Sequence, residues 1–165
     1  MIKDIETAQE FTTTTVALVT THHLGKNNVM SAEWTIRSSI DPFLITVFVG
    51  YERATYDMIK GSGEFGVSYC SDKQGELAHV AGNHSGRDVD KFALKDFSTF
   101  KAAQIKAPLI ESSISAFECK VVSEYPVGDH AAFNGQVVEG YYSQDAKPLV
   151  FHGGKFRHIG EIIKH

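Results

Sequence analysis

Apolar positions in this chain fall mostly in short runs. β-Branched and aromatic residues cluster, and Gly, Asn, Asp and Pro separate the clusters, which is the pattern of a strand-rich fold. The spacing predicts strands over residues 16–22, 28–34, 43–50, 64–70, 113–125, 131–142 and 149–152. Leu24-Gly25-Lys26-Asn27 reads as the loop of a hairpin joining the first two. In the fifth strand Phe117, Cys119 and Val121 alternate with Glu118 and Lys120, so one face is expected to be buried and the other wet. Residues 43–49 are nearly apolar throughout, which predicts burial on both faces. Two helices interrupt the strands. One covers 53–61, with Ala54/Met58 and Thr55/Ile59 four apart and Gly61 able to end it. The other follows an Asp72 cap and carries Leu77, Val80 and Ala81. A third short helix is expected over 89–94. The fold class is mainly β: an antiparallel Greek-key barrel with short flanking helices at its ends or gaps.

Length and charge narrow the field. A chain of 165 residues suits one domain, 1–165, and can bury about 70% of its unfolded surface. A formal charge of −4, with no run of like charges, argues against a nucleic-acid or anionic-membrane partner. The first residues, Met1-Ile2-Lys3-Asp4, lack the apolar stretch of a signal peptide, and the longest apolar run is too short to span a bilayer. A cytoplasmic location is expected. Cys70 and Cys119 have no CxxC spacing and suggest no disulfide framework.

Several chemical motifs fail on inspection. Gly61-Ser62-Gly63-Glu64-Phe65-Gly66 matches G-x-G-x-x-G. Its order is helix, glycines, strand, whereas a dinucleotide fingerprint needs strand, glycines, helix. No P-loop occurs. The eight histidines form no HExxH, and no Cys/His cluster has zinc spacing. His22 and His23 should point to opposite faces of a strand, and His79 and His84 read as surface residues. No metal site is expected. Gly66-Val67-Ser68-Tyr69 lacks the final glycine of a nucleophile elbow.

Other segments stand together in a more informative way. They are Asn28-Val29-Met30-Ser31-Ala32-Glu33-Trp34-Thr35 with Ser38-Ser39-Ile40-Asp41-Pro42-Phe43; Arg53-Ala54-Thr55 with Gly63-Glu64-Phe65-Gly66-Val67-Ser68; and Gly128-Asp129-His130 with Phe133-Asn134-Gly135. Ser85-Gly86-Arg87-Asp88-Val89-Asp90-Lys91-Phe92 lies between them, and His152-Gly153-Gly154-Lys155-Phe156 near the end. In this order and spacing, from about Phe11 to Gly160, the chain resembles the flavin reductase-like family, most of all its flavoredoxin-type members. The resemblance implies an FMN-binding split β-barrel, a homodimer, and flavin near the subunit interface. Asn28, Trp34, Thr55, Lys91, His130 and Phe156 fall where similar proteins line the flavin site. Ser31, Ala32, Glu33, Trp34 and Thr35 match the loop along the isoalloxazine. Arg53 and Thr55 match the phosphate side, with Ser38 a further candidate, and Ser68, Tyr69, Cys70 and Ser71 match a strand end beside the ring. Many flavin reductases carry Thr-Ala-Asn or Thr-Ala-Ser where this chain has Ser31-Ala32-Glu33, and Glu33-Trp34 points towards electron carriers.

The chemistry is coherent with that resemblance. A flavin phosphate brings about −1.5 to −2 charge, which an acidic protein must answer locally. Arg53 offers a planar fork, and Thr55 and Ser38 offer hydroxyls, although Arg53 also reads as a solvated helix-start residue. Trp34 suits stacking on a flat ring or, equally, a place in the barrel core. Lys91 is a catalytic candidate as the cation that stabilises reduced flavin near N1, against an exposed helical lysine. His130 is a candidate proton relay, against a turn-capping histidine. Phe156 covers the ring or closes the barrel, and Cys70 reads as a small buried residue. The leading function is an FMN oxidoreductase or electron carrier passing electrons to a flavin, ferric, disulfide or protein acceptor. The alternatives are an NAD(P)H:flavin oxidoreductase supplying reduced flavin to a monooxygenase, and a non-enzymatic FMN-binding protein.

Overall fold

The computed structural model describes residues 2–161 and Ile163. In chain order the elements are α1 (Ile5–Glu10), β1 (Thr14–Thr15), β2 (Ala17–His23), β3 (Lys26–Ala32), β4 (Thr35–Ser39), β5 (Leu44–Gly50), α2 (Ala54–Ser62), β6 (Glu64–Tyr69), α3 (Gly75–Asn83), α4 (Lys91–Leu94), β7 (Thr99–Phe100), β8 (Leu109–Ile110), β9 (Ser115–Val127), β10 (His130–Tyr142), β11 (Leu149–His152) and β12 (Lys155–His158). The main sheet has seven strands in the order β3-β2-β6-β9-β10-β5-β4, every neighbouring pair antiparallel. Its two edges, β3 and β4, are consecutive in the chain and separated only by Glu33 and Trp34. The sheet must therefore curl until its edges meet at one end, without pairing along their length: a barrel split by a seam. Trp34 closes the join by accepting a 3.0 Å hydrogen bond from the Phe48 N–H. A small sheet β1-β11-β12 and the pair β7-β8 complete the strands.

The interior of the curled sheet is filled by Val19, Met30, Val47, Phe65, Cys119 and Phe133, all buried. A second cluster lies outside the β2–β3 wall, where Val16, Leu18 and Val29 pack under Ala78 and Ala81 of α3 with Cys70, Phe97 and Ile110. β2 is thus buried on both faces. α3 sits over β3 and forms one wall of the space above the seam.

The structure corrects several expectations. Glu118 does not face water; it is fully buried. Its carboxylate accepts from the N–H groups of Ala103, Gln104 and Ile105 at 2.8, 2.6 and 3.1 Å and from the Tyr141 hydroxyl at 2.8 Å. Burial works against its charge, yet these donors hold its pKa below the usual carboxylate range. Residues 43–49 are not evenly buried on the two faces: Ile45, Val47 and Val49 point inward and are buried, while on the outer face Thr46 is buried and Leu44 and Phe48 are half-buried. α2 runs past Gly61 and ends at Gly63, whose φ of +70° permits the left-handed cap and a 2.8 Å bond from its N–H to Ile59 O. Asp72 does not cap α3, which starts three residues later behind Gln74; Asp72 instead faces His158 Nδ1 at 3.4 Å.

Candidate functional site

A cleft of about 830 Å³ opens above the seam. Its walls come from β3 and the Glu33–Trp34 join, the start of α2, the end of α3 with the segment after it, the start of β10, and the β11–β12 hairpin. Asn28, Ser31 and Ala32 line it from β3, and Glu33 and Trp34 from the join. Arg53 and Thr55 enter at the head of α2, Lys91 at the head of α4, His130 at the head of β10, and Phe156 from β12. Residues scattered from Asn28 to Phe156 are thereby brought into one space.

The other residues matched on sequence lie elsewhere. Thr35 points into the barrel wall and is 2% exposed. Ser38 sits further along β4, with its hydroxyl 2.7 Å from Thr46 Oγ1. Ser68 is fully buried and accepts from the Ile110 N–H at 3.1 Å. Tyr69 packs edge-on against Phe117, Cys70 belongs to the cluster under α3, and the Ser71 N–H donates to Gln74 Oε1 at 2.9 Å. The reason is topological: β6 is an inner strand between β2 and β9, so β8 and the loop before α3 cover its end. Burial also pushes the Cys70 thiol up to about 12, far from a reactive thiolate. Conversely, the cleft uses Phe48, Ser85 and Gly86, to which the sequence reading gave no role. Phe48 was detectable as an outward-facing aromatic on an otherwise inward-filled strand.

Charge concentrates at one end. Lys91 is 4% exposed, and its Nζ donates to Val29 O at 2.7 Å and Ala81 O at 2.8 Å. Those carbonyls belong to an edge strand and to the last turn of a helix, both short of partners, so Lys91 stitches β3 to α3. Two bonds leave one ammonium N–H for the cleft. Burial, and secondarily the Arg53 charge, lower the Lys91 pKa to about 8. Arg53 itself is half-exposed and paired with Glu52 at 3.0 Å. Asn28, 4% exposed, donates from Nδ2 to Thr55 Oγ1 at 2.9 Å, while its Oδ1 is buried without a partner. The first N–H groups of α2, which have no intrahelical acceptors, open on the same end.

The other end is aromatic. Trp34 is half-exposed and packs against His130, ring centroids 4.8 Å apart. His130 Nδ1 lies 2.6 Å from Asp129 Oδ1, a contact that lowers the Asp129 pKa. Beside them, burial raises the Glu33 carboxyl. Among the described residues no group of three or more His, Cys, Asp and Glu side chains is placed to hold a metal, and no helix is long and apolar enough to cross a membrane.

Comparison with known proteins agrees with this architecture. The flavin reductase like domain matches residues 10–160. An NADH-dependent flavin reductase of Rhodococcus sp is 30% identical over 73% of this chain and 64% of its own. A ferric-chelate reductase (NAD(P)H) of Archaeoglobus fulgidus is 28% identical over 81% of this chain and 79% of its own. Among solved structures, BorF, the flavin reductase component of a bacterial two-component tryptophan halogenase, superposes with a TM-score of 0.85 at 28% identity, covering 96% of this chain and 98% of that one. The NADH:FAD oxidoreductase SgcE6 of Streptomyces globisporus shares the fold, with a TM-score of 0.89 at 23% identity and 98% of each chain covered. Matched over nearly its whole length, the chain belongs to the flavin reductase-like family and is an oxidoreductase of that family.

Proposed function

We propose that the cleft holds FMN non-covalently and that the protein draws electrons from NAD(P)H and passes them to a flavin, ferric, disulfide or protein acceptor. The observation that carries this reading is the charged end of the cleft. There the Arg53 fork, the Lys91 ammonium and the start of α2 converge beside the unpartnered Asn28 Oδ1. This donor set suits a phosphate: two cations answer the charge, and the free N–H groups at the helix start donate to it. Bound flavin supplies hydride and single-electron chemistry. Thr55 offers its hydroxyl to the phosphate side, and Lys91, expected from the sequence beside the ring near N1, instead gives its third N–H to the Arg53 end, held in place by Val29 and Ala81. Trp34 and Phe48 present apolar surface to the ring. His130, with Nδ1 turned to Asp129, directs Nε2 towards the cleft as the atom that holds or yields a proton.

A second reading, in which flavin leaves as a diffusible product, is favoured by the openness of the Arg53 side and by the reductases among the relatives. A homodimer is part of the proposal in either case. Ile36 of β4 and Tyr125 and Val127 of β9 stand exposed on the outer face, flanking a polar ladder of Ser38, Thr46, Asn134 and Ser123 that a second copy would cover. A cytoplasmic location accords with the same reading. The test is direct. Purified protein should be yellow or take up added FMN, release FMN on denaturation, and bleach on stopped-flow mixing with NADH or NADPH. Failure to bind any flavin would refute the proposal, and release of FAD would refute the choice of FMN.

A further inference from the structure

The segment between α3 and α4, residues 84–90, roofs the charged end of the cleft through Ser85 and Gly86. It closes tightly: a Cβ on Gly86 would collide with Asn28 Oδ1. Within the segment, the Asp88 and Val89 N–H groups both donate to Ser85 O at 3.1 Å, and the Arg87 N–H donates to Ser85 Oγ at 3.1 Å. Asp90 caps α4 through the Phe92 N–H, and Lys91 is pinned behind it. The roof is therefore a preformed turn, fixed at its rear end.

Its front is fixed by one side chain. Arg87 Nε donates to Glu52 O at 3.2 Å, and Nη2 pairs with Asp57 Oδ2 at 2.7 Å. Glu52 immediately precedes Arg53, and Asp57 lies in the first turn of α2, so both acceptors belong to the opposite wall of the cleft. Arg87 and Asp57 do not themselves line the cleft. Arginine suits this position because its planar fork can hold a carbonyl and a carboxylate at once; a single-headed lysine cannot.

We propose that the Arg87–Asp57 latch sets the residence time of flavin in the cleft, and so decides whether it behaves as a fixed prosthetic group or as a diffusible substrate. The inference rests on the flavin reading above. Arg87 is a positioning residue: it acts on the balance between a closed and an open roof, while the groups that face the ligand stay where they are. A half-exposed ion pair alone is weak, but here it is joined to a charge-assisted bond to Glu52 O. Losing both should shift that balance about tenfold towards the open roof.

The experiment measures FMN release from the holoprotein by rapid dilution with fluorescence detection. The proteins compared are wild type, Arg87→Ala, Asp57→Asn and the double variant. Arg87→Ala should release FMN about tenfold faster, Asp57→Asn should speed release by less because the bond to Glu52 O survives, and the double should be no faster than Arg87→Ala alone, because its second change removes a contact already lost. Arg87→Lys should fall between. Melting of the FMN-free protein should be unchanged in Asp57→Asn, so a folding defect in Arg87→Ala does not decide the result. Salt should speed release from wild type more than from the variants. Suppose Asp57→Asn leaves release unchanged while Arg87→Ala abolishes the preference for FMN over riboflavin. Arg87 would then contact the phosphate itself, and the latch is overturned. Wild-type release rates in both single variants overturn it as well. Wild-type protein that takes up no flavin overturns the flavin reading and the latch together.

Discussion

Replacing Lys91 with methionine should change the pH dependence of stability more than stability itself. In the FMN-free fold the ammonium is almost wholly enclosed and its pKa is lowered from 10.5 to about 8, chiefly by burial and then by Arg53. That displacement corresponds to about 3 kcal/mol held against folding while the group is charged in both states. Below pH 8 the penalty is present in full. Between pH 8 and 10.5 the unfolded chain still binds the proton and the folded chain has released it, so stability rises with pH. Relative to pH 7, wild type should gain about 1 kcal/mol at pH 9 and about 2–3 kcal/mol at pH 10 that Lys91→Met does not gain. At pH 7 two effects oppose each other in the variant. The buried charge disappears, but Val29 O and Ala81 O each lose a donor, at roughly 1–3 kcal/mol apiece. The net change there should be small. Urea denaturation of both proteins at pH 7, 9 and 10 measures the double difference, in which every other titrating group cancels. Curves that stay parallel across this range would refute the burial argument. FMN titration of the same variant should show weaker binding, because a phosphate-side cation has gone.

Three further outcomes can be checked. Gly86→Ala should weaken FMN binding about tenfold or more in a fluorescence titration, since the new methyl must displace Asn28. Glu118→Gln should destabilise the protein by about 2–4 kcal/mol at neutral pH, because three backbone donors and Tyr141 lose a charged acceptor. The depressed pKa contributes stability that is present above the ordinary carboxylate range and lost on acidification, so the gap between variant and wild type should narrow in acid denaturation. Sedimentation at micromolar concentration should give a dimer, and Tyr125→Glu should shift it towards monomer by placing a charge in the covered face.

The strands that carry most of the sheet were readable because β-branched and aromatic residues cluster in them between Gly, Asn, Asp and Pro, whether one face is wetted, as along the later half of β10, or both are buried, as in β2. What escaped was set by tertiary partners. β4 and β12, Thr35–Ser39 and Lys155–His158, have weak apolar patterns because each is an edge strand. Glu118 looked like a solvent-facing residue because nothing local announces that residues 103–105, well before it in sequence, will fold over it and aim three N–H groups at its carboxylate. The cleft divides in the same way. Asn28, Arg53, Thr55, Lys91 and His130 stand at element starts or edges and reach it, whereas Ser68 to Ser71 are enclosed by neighbours that are distant in sequence. Lys91 was recognisable as a cleft residue, but its stitching of two backbone carbonyls was not, since that depends on which carbonyls the fold leaves unpaired.

The seam also constrains how chains of this shape can diverge. Two residues, Glu33 and Trp34, separate the last residue of one sheet edge from the first of the other. Strand side chains alternate in orientation, so adding or deleting a single residue there would rotate β4 by one position against β5. Thr35 and Arg37 would then turn outward and Ile36 inward, while the pairing of Thr35 with Val47 would be lost. A change of two residues preserves the alternation but moves Trp34 along the cleft. Length at this point is therefore constrained more strictly than residue identity, and a library of insertions should find the join intolerant while the Leu24–Gly25 turn, exposed at the tip of the β2–β3 hairpin with open space around Gly25, accepts them.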